Sequence, residues 1–527
     1  MALDRARVKL ALARRWPLLV GLAVFLLHLV YLWPGGPWTR RTDALILGQD
    51  EGTVLYDSLR ISRGEVMYDD FFMFQGPVFY YANAGLFLLT GGPSIGAARL
   101  LHLLWTAASA ALLAVLVARY AGRLAGIGAA LVHACVLVPM WPFAYSHWLA
   151  ETLALAGLVF LTREETRPRD QVLGGACMGL SLMTIQSVGL PVLVAAVGAL
   201  AAPGLGARDW RAALRRPGLV LAGAAAAVGP IALYFAAHGA LGDLYYAMFV
   251  WTKNNYRAGQ GQAITYAWWV EEAVKMHRLH MAAPWRSLAV AGLRLTQYLP
   301  YASLAGAAVA APIALWRLAK RREGYGFAIA AGVALAGCSP LWLAPLRPDL
   351  THVAYVGSLG MVGAAVALAP AVKRWRAARV GATALFCAAG LAMLVNYGAK
   401  TALTWKASRK LGTWRQEALK LPNAARLAKL AGKDERIVVG AMSGFYYMYV
   451  RPAAVPFTYI PAGWVALFTE PQWRRLADAI VTRRPRAMSF IGKQWGEIVK
   501  RRPELEKLYR NEGGLLVRVA PAPAAPR

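Results

Sequence analysis

Three features of this sequence predict one fold class: a polytopic α-helical membrane protein of about eleven transmembrane helices with a small C-terminal α/β domain. The chain has 527 residues, of which 58% are hydrophobic and only 16% charged. Its charges are clustered, and the stretches between clusters are apolar runs of about 20 residues, the length that crosses a ~30 Å hydrocarbon core as a helix. The clusters are basic on every second short loop, the pattern that alternating membrane crossings leave behind. Inside lipid each backbone polar group must be paired within its own segment, so the runs are expected as helices.

The runs fall at 17–34, 95–118, 124–141, 148–162, 171–185, 187–203, 218–237, 296–316, 326–346, 353–371 and 379–396. The first follows Arg5, Arg7, Lys9, Arg14 and Arg15, as the core of a secretory leader would. Tyr31-Leu32-Trp33-Pro34-Gly35 offers no small-x-small cleavage site, which predicts an uncleaved first helix. Orientation follows from Lys and Arg. Arg119 and Arg123, Arg163, Arg167 and Arg169, Arg208, Arg211, Arg215 and Arg216, Arg317 to Arg322, and Lys373 to Arg379 all fall on the side of the basic N-terminus. The loops around 142–147 and at Gln186 carry no basic residue. The first set is therefore expected to be cytoplasmic. Much of the +31 formal charge is explained this way and calls for no nucleic-acid partner. Part of it suits anionic head groups of the surrounding membrane lipids. Cys135, Cys177, Cys338 and Cys387 all lie within apolar runs and read as packing residues, with no disulfide framework or metal spacing.

An odd number of spans puts the C-terminus outside. The expected organisation is a membrane domain over 1–399 with outer loops at 35–94 and 238–295, an extracytoplasmic α/β domain over 400–519, and a disordered Pro/Ala-rich tail at 520–527. Strands are expected at 437–440 and 514–519 and helices at 471–482 and 495–507. The stretch from Phe74 to Leu89 is aromatic and includes Pro77, so it is expected to lie in the interface as an amphipathic helix.

The residues suited to chemistry gather on the outer face. Asp50 and Glu51 open the first outer loop. Glu151 sits four residues after His147 at the outer start of the fourth span. An acid inside a span costs about 3 kcal/mol on insertion scales, so Glu151 is expected to face a polar cavity. Arg347-Pro348-Asp349-Leu350-Thr351-His352 lies between the ninth and tenth spans, and Lys253 and Arg257 lie in a polar outer segment. Transfer of a group to a hydroxyl needs a base within about 3 Å of the nucleophile. It also needs cations or helix dipoles at a departing phosphate. These residue types provide both. No Gly-rich phosphate cradle precedes a helix, so no nucleotide site is expected. No cofactor is read from the residues, and a divalent metal beside the acids is left open.

The early outer-loop acid, the Gln75-Gly76-Pro77 aromatic stretch, the Gly92-Pro93-Ser94-Ile95-Gly96-Ala97-Ala98-Arg99-Leu100 entry to the next span, the acid of the fourth span and the outer C-terminal domain together resemble GT-C glycosyltransferases. Within them the chain is similar to bacterial relatives of the protein O-mannosyltransferases and the lipid A aminoarabinose transferase (glycosyltransferase family 39), best over 17–200. The resemblance implies a sugar donor carried on a polyprenyl phosphate and transfer outside the cytoplasm to a lipid, glycan or protein. It implies Asp50 as the base that deprotonates the acceptor, with Glu51 as a second acid beside it, and Glu151 as the family's fourth-span acid. Many bacterial relatives carry Thr-Lys-Gln or Thr-Lys-Gly at the outer end of the fifth span, where this chain has Thr184-Ile185-Gln186. Either Arg347, Lys253 or Arg257 then stands in at the donor phosphate, or the donor differs. His147, Asp349 and His352 complete the expected substrate-binding set.

The Ala/Arg/Gly-rich composition is associated with bacteria of GC-rich genome, which places the chain in a bacterial cytoplasmic membrane. Two other classes stay open at this stage. A transporter or flippase for a lipid-linked or anionic solute would need functional charges at mid-membrane. A GT-C-fold protein without catalysis would serve as a binding or assembly partner. The topology has a direct test: a periplasmic reporter fused after residue 400 is expected to be active, and a cytoplasmic signal there would break the span assignment.

Overall fold

The computed structural model describes residues 2–32, 49–138, 143–163, 167–255, 357–366 and most of 418–519, with isolated positions between 305 and 394. The run expected at 326–346 lies outside the described residues, as do most of those at 296–316 and 379–396.

The first half is a helical bundle. Helix α1 covers Ala2–Leu32, α2 Gln49–Ser62, α3 Val78–Leu89, α4 Ile95–Ala121 and α5 Arg123–Val132. A π-helical turn, His133–Leu137, extends α5. Helix α6 covers Ser146–Leu161, α7 Pro168–Leu182, α8 Gln186–Ala207, α9 Trp210–Ala237, α10 Leu241–Tyr245 and, after a second π-turn at Tyr246–Trp251, α11 Thr252–Asn255. A further apolar helix, α12, covers Gly357–Val366. Among the described residues, α4, α8 and α9 are long and apolar enough to cross a bilayer, and α1, α3, α5, α6 and α12 supply shorter apolar segments. Helix α3 has 12 residues, about 18 Å of rise, which falls short of the hydrocarbon thickness.

The helices bury small residues and expose large apolar ones, as a lipid-facing bundle requires. Leu18, Leu22 and Leu26 point outward from one face of α1, and Trp210, Leu214, Leu221 and Leu233 from α9. Helices α7 and α9 cross at Gly175 and Gly223, where an added Cβ would lie about 2 Å from the Val220 and Val172 carbonyl oxygens, respectively. Small residues four apart, Gly175 and Gly179, permit this approach, and dispersion then replaces the hydrophobic drive that lipid does not supply.

Residues 424–518 contain a four-stranded sheet with helices. In chain order these are α13 Ala424–Leu430, β1 Ile437–Val439, α14 Gly444–Tyr449, α15 Glu470–Arg483, β2 Ala487–Ser489, α16 Gly492–Arg501, α17 Glu504–Leu508, β3 Tyr509–Glu512 and β4 Leu515–Arg518. The strand order is β1-β2-β4-β3, with β1 parallel to β2 and the other pairs antiparallel. Strand residues alternate between two cores. Val438, Met488 and Leu516 pack on Trp473, Leu476, Ile480 and Ile498 of the sheet's own helices. Ile437, Val439, Ala487, Leu515 and Val517 face the other way and share one core with Val54, Leu55 and Leu59 of α2 and with Phe71 and Phe79.

The C-terminal sheet is thus fastened to the segment that follows α1. Gly52 and Gly444 set the closeness: a Cβ on Gly444 would lie 2.0 Å from the Gly52 carbonyl carbon. The Ala453 N–H donates to the Tyr56 hydroxyl at 2.9 Å, Phe72 N–H to the Pro456 carbonyl at 3.1 Å, and the Thr458 hydroxyl to Asp57 Oδ1 at 2.5 Å. Asp57 is fully buried and its Oδ2 has no hydrogen-bond partner among the described residues. Burial raises its carboxyl from the ordinary 3.8 to about 7, against the opposing pull of Arg60 and the Thr458 bond, with Glu65 adding to the rise. A carboxyl raised on docking binds its proton more tightly when docked. Its contribution is therefore complete below about pH 3.8, declines as pH rises, and is gone above about pH 7. Resistance of the C-terminal sheet to proteolytic release is expected to fall across that window with a slope approaching 1.4 kcal/mol per pH unit. Asp57→Asn is expected to flatten it, and an unchanged slope in Asp57→Asn would disprove the assignment.

Candidate functional site at the N-terminus of helix α2

The site is built where α2 enters the top of the bundle. Its first turn carries Asp50 and Glu51 at the positive end of the helix dipole, which favours acids there. Neighbouring positions lie about 100° apart around a helix, so the two carboxylates part company. Glu51 turns inward and is 0% exposed. Arg99, on the first turns of α4 and 1% exposed, grips it with a fork: Nε donates to Oε1 at 2.9 Å and Nη2 to Oε2 at 2.5 Å. The Ala144 N–H adds a third bond to Oε1 at 3.1 Å. The Arg99 guanidinium lies 5.9 Å from the Phe143 ring. Asp50 stays half-buried at the rim.

Two other segments close around this pair. Tyr449, the last residue of α14, is pushed above the ordinary phenol range by burial and by the Glu51 carboxylate, with Arg99 opposing. The C-terminal sheet thereby brings an aromatic hydroxyl to the pair. On the other flank, Gln75 is a buried hub. It donates to the Tyr145 hydroxyl at 2.9 Å, accepts from Tyr80 and Ser146 at 2.9 Å each, and its carbonyl accepts from Tyr68 at 2.7 Å. Burial, then Tyr145 and the charges of Asp57 and Asp50 among others, push the Tyr80 phenol well above its ordinary value. His147 stacks on Tyr145 with centroids 5.0 Å apart.

The Gly76-Pro77 step is a docking device. Gly76 N–H donates to the Thr184 carbonyl at 3.2 Å and Val78 N–H to the Met183 carbonyl at 3.1 Å. A Cβ on Gly76 would sit 2.1 Å from the Met183 oxygen, so glycine is required. The loop is therefore pinned on the corner between α7 and α8, where Ile185 stands. Gln186 Nε2 ties this corner to the Phe74 carbonyl at 3.2 Å, the Met248 carbonyl at 2.8 Å and the Thr252 hydroxyl at 3.4 Å. Helix α11 and its exposed Lys253 accordingly lie beside the Ile185 corner.

Glu151 lies deeper, on α6, and is fully buried. Its Oε1 accepts from the Ser358 hydroxyl of α12 and lies 3.7 Å from His133 Nδ1. Glu151 therefore meets residues of other helices. Arg257, Arg347, Asp349 and His352 lie outside the described residues. Ser358 follows His352 by six positions, so the chain after that motif returns to Glu151. Among the described residues no group of three His, Cys, Asp or Glu side chains is placed to hold a metal. Tyr449 and Asp57 were not singled out from sequence, and Gln75 and Arg99 entered only as members of motifs with no role assigned. Arg99 alone carried a signal, as a cation inside an apolar run.

No protein-family model and no curated protein matches the chain. Its likeness is to solved structures. The apo ArnT of Cupriavidus metallidurans is 15% identical, with 96% of this chain and 98% of that one covered at a TM-score of 0.54. The same protein bound to undecaprenyl phosphate aligns over 83% of this chain and 85% of its own, at 14% identity and a TM-score of 0.50. The Archaeoglobus fulgidus oligosaccharyltransferase, tethered with an acceptor peptide, is 14% identical over 96% of this chain and 74% of its own, at a TM-score of 0.51. Both are glycosyltransferases of GT-C fold, and this chain shares that fold over most of its length.

The buried fork gives a direct prediction. Arg99→Leu leaves the Glu51 charge buried without its guanidinium and is expected to cost about 3–5 kcal/mol of stability. Replacing both partners, as Glu51→Leu with Arg99→Leu, is expected to recover most of that loss in thermal unfolding. A double variant no more stable than the single one would contradict the pairing.

Proposed function

We propose that this chain is a membrane glycosyltransferase that moves a sugar from a polyprenyl-phosphate donor to an extracytoplasmic acceptor, with Asp50 as general base. The observation that carries the reading is the fold shared over 83% of the chain with a structure of ArnT bound to undecaprenyl phosphate. The arrangement around α2 supports the choice of base. Both Glu51 oxygens are engaged by Arg99 inside the bundle, and Asp50 stands half-buried on the rim of the same turn, where an acceptor can reach it.

The chemistry balances without a nucleotide. The acceptor hydroxyl gives its proton to an Asp50 carboxylate oxygen as its oxygen bonds to the sugar's anomeric carbon. The bond from that carbon to the phosphate oxygen breaks, and polyprenyl phosphate leaves with the electron pair. The proton then passes from Asp50 to solvent or to the departing phosphate. Cations lower the barrier by meeting charge as it develops on that phosphate. Lys253 is our candidate for the lysine that Ile185 replaces, since α11 lies beside the same corner. Arg257 and Arg347 are assigned to the same phosphate. His147, Glu151, Asp349 and His352 are assigned to the walls of the site, and Glu51 to holding α2 in register. The site faces outward from a bacterial inner membrane, with the N-terminus cytoplasmic and the C-terminal sheet external.

The test is transfer from a panel of labelled polyprenyl-phosphate sugars by purified protein in lipid. A positioned base contributes about 10²–10⁴-fold, so Asp50→Asn is expected to lose that much rate with donor binding retained. Transfer that survives Asp50→Asn at the wild-type rate would remove Asp50 from the role.

A further inference from the structure

The bundle beneath the site contains a cluster of buried polar groups, of which the proposed sugar transfer uses only Arg99, through Glu51, and Glu151, as a wall of the site. On α4, Arg99, His102, Thr106 and Ser109 follow one another at spacings of three, four and three, so they share one face, and all are buried. His28 of α1, His133 of the first π-turn, Glu151 and Thr152 of α6 and Ser358 of α12 are buried as well. Several of these groups are satisfied. His28 Nε2 lies 2.9 Å from the Ala134 carbonyl, and the Ser109 and Thr152 hydroxyls are 2.7 Å apart.

Five buried atoms are not satisfied. Both ring nitrogens of His102 and Glu151 Oε2 have no hydrogen-bond partner among the described residues, and neither nitrogen of His133 closes a hydrogen bond of good geometry, although its ring approaches the Thr106 backbone. His133 Nδ1 comes to 3.7 Å from Glu151 Oε1 without closing a hydrogen bond. The two imidazoles contact the buried Trp148 indole, at centroid distances of 6.2 and 5.8 Å. His133 opens a π-turn, a distortion that recurs where helices carry function. Lipid supplies no hydrogen bonds, so buried polar atoms of this kind require an internal partner. Water is the usual one, bridging otherwise unpaired groups. A metal would need several converging ligands, and none of the described clusters provides three.

We propose that Glu151, His133 and His102 line an internal site for water and one exchangeable proton, inside the membrane-embedded bundle. The proton resides on Glu151 Oε2, which donates it to the enclosed water, and that water donates in turn to an imidazole nitrogen of His133, so the proton exchanges with water while both side chains stay neutral. No co-reactant is consumed. Among the described residues, the charged and titratable groups facing the site are His28 from α1, Arg99 and His102 from α4, His133 from the π-turn, and Glu151 from α6, with Glu51 of α2 behind Arg99. Ser358 holds the other Glu151 oxygen in place. This inference does not depend on the transfer activity.

Infrared difference spectroscopy on the full-length protein in lipid nanodiscs tests it. The wild type is expected to show a protonated-carboxyl band that shifts when water is exchanged for D₂O. Glu151→Gln is expected to abolish that band, His133→Asn to displace it, and Asp57→Asn to leave it in place. Absence of such a band, a band that ignores D₂O, or one untouched by His133→Asn would overturn the proposal. Loss of the band on adding zinc alone would overturn it in favour of a cation site. Should Glu151→Gln fail to fold, ¹⁵N-histidine spectra of the wild type decide the matter. Imidazole protons of His102 and His133 that exchange with water support the site, and a dry pair of rings sinks it.

Discussion

The Glu51–Arg99 fork is the constraint around which the rest of the site is arranged. Two charges removed from water repay that cost only when the geometry is good and the remaining lone pairs are used. Here the guanidinium meets both carboxylate oxygens and the Ala144 N–H takes a further lone pair. The fork joins α2, α4 and the segment leading into α6. By fixing the rotation of α2 it decides that Glu51 faces inward and that Asp50, about 100° around the helix, faces the rim.

The C-terminal sheet depends on the same helix. Gly52 and Gly444 let the backbones of α2 and α14 touch, and the odd-numbered apolar positions of β1 and β4 complete a core begun by Val54, Leu55 and Leu59. Tyr449 arrives at the fork as a consequence. The opposite wall is set by backbone contact too, through Gly76 on Met183 and Gln186 on Phe74 and Met248. Three segments distant in sequence are thus held at one place by close backbone approach. This is the precision that a transfer site needs, since a displacement of about 1 Å can cost about 10²-fold in rate.

The legible parts of the molecule were those with a strong local signal. Helices α4, α8 and α9 follow from unbroken apolar composition, and β1 and β4 from short Ile/Val/Leu runs buried on both faces. Strands β2 and β3 gave little warning, because Ala-Met-Ser and Tyr-Arg-Asn-Glu have weak strand character and are held by their neighbours. For the acids, sequence gave positions but not partners. Glu51 differs from Asp50 only because Arg99 lies 48 residues away in the chain and adjacent in space. His147 was the natural neighbour of Glu151 by helical spacing, yet His133 and Ser358 reach it from other helices. Asp57 carries no local signal in the sequence, because its burial comes from the C-terminal sheet that covers it.

The proposed function joins these pieces: a GT-C fold that presents Asp50 on a rigid turn to a lipid-carried sugar. The most direct measurement follows both halves of the donor at once. Purified protein in proteoliposomes is given a doubly labelled polyprenyl-phosphate sugar and a mixture of hydroxyl acceptors. The account predicts that free polyprenyl phosphate and new glycoside appear together in equal amounts. Intact donor that crosses the bilayer while its phosphate and sugar stay joined would contradict it and establish transport in its place.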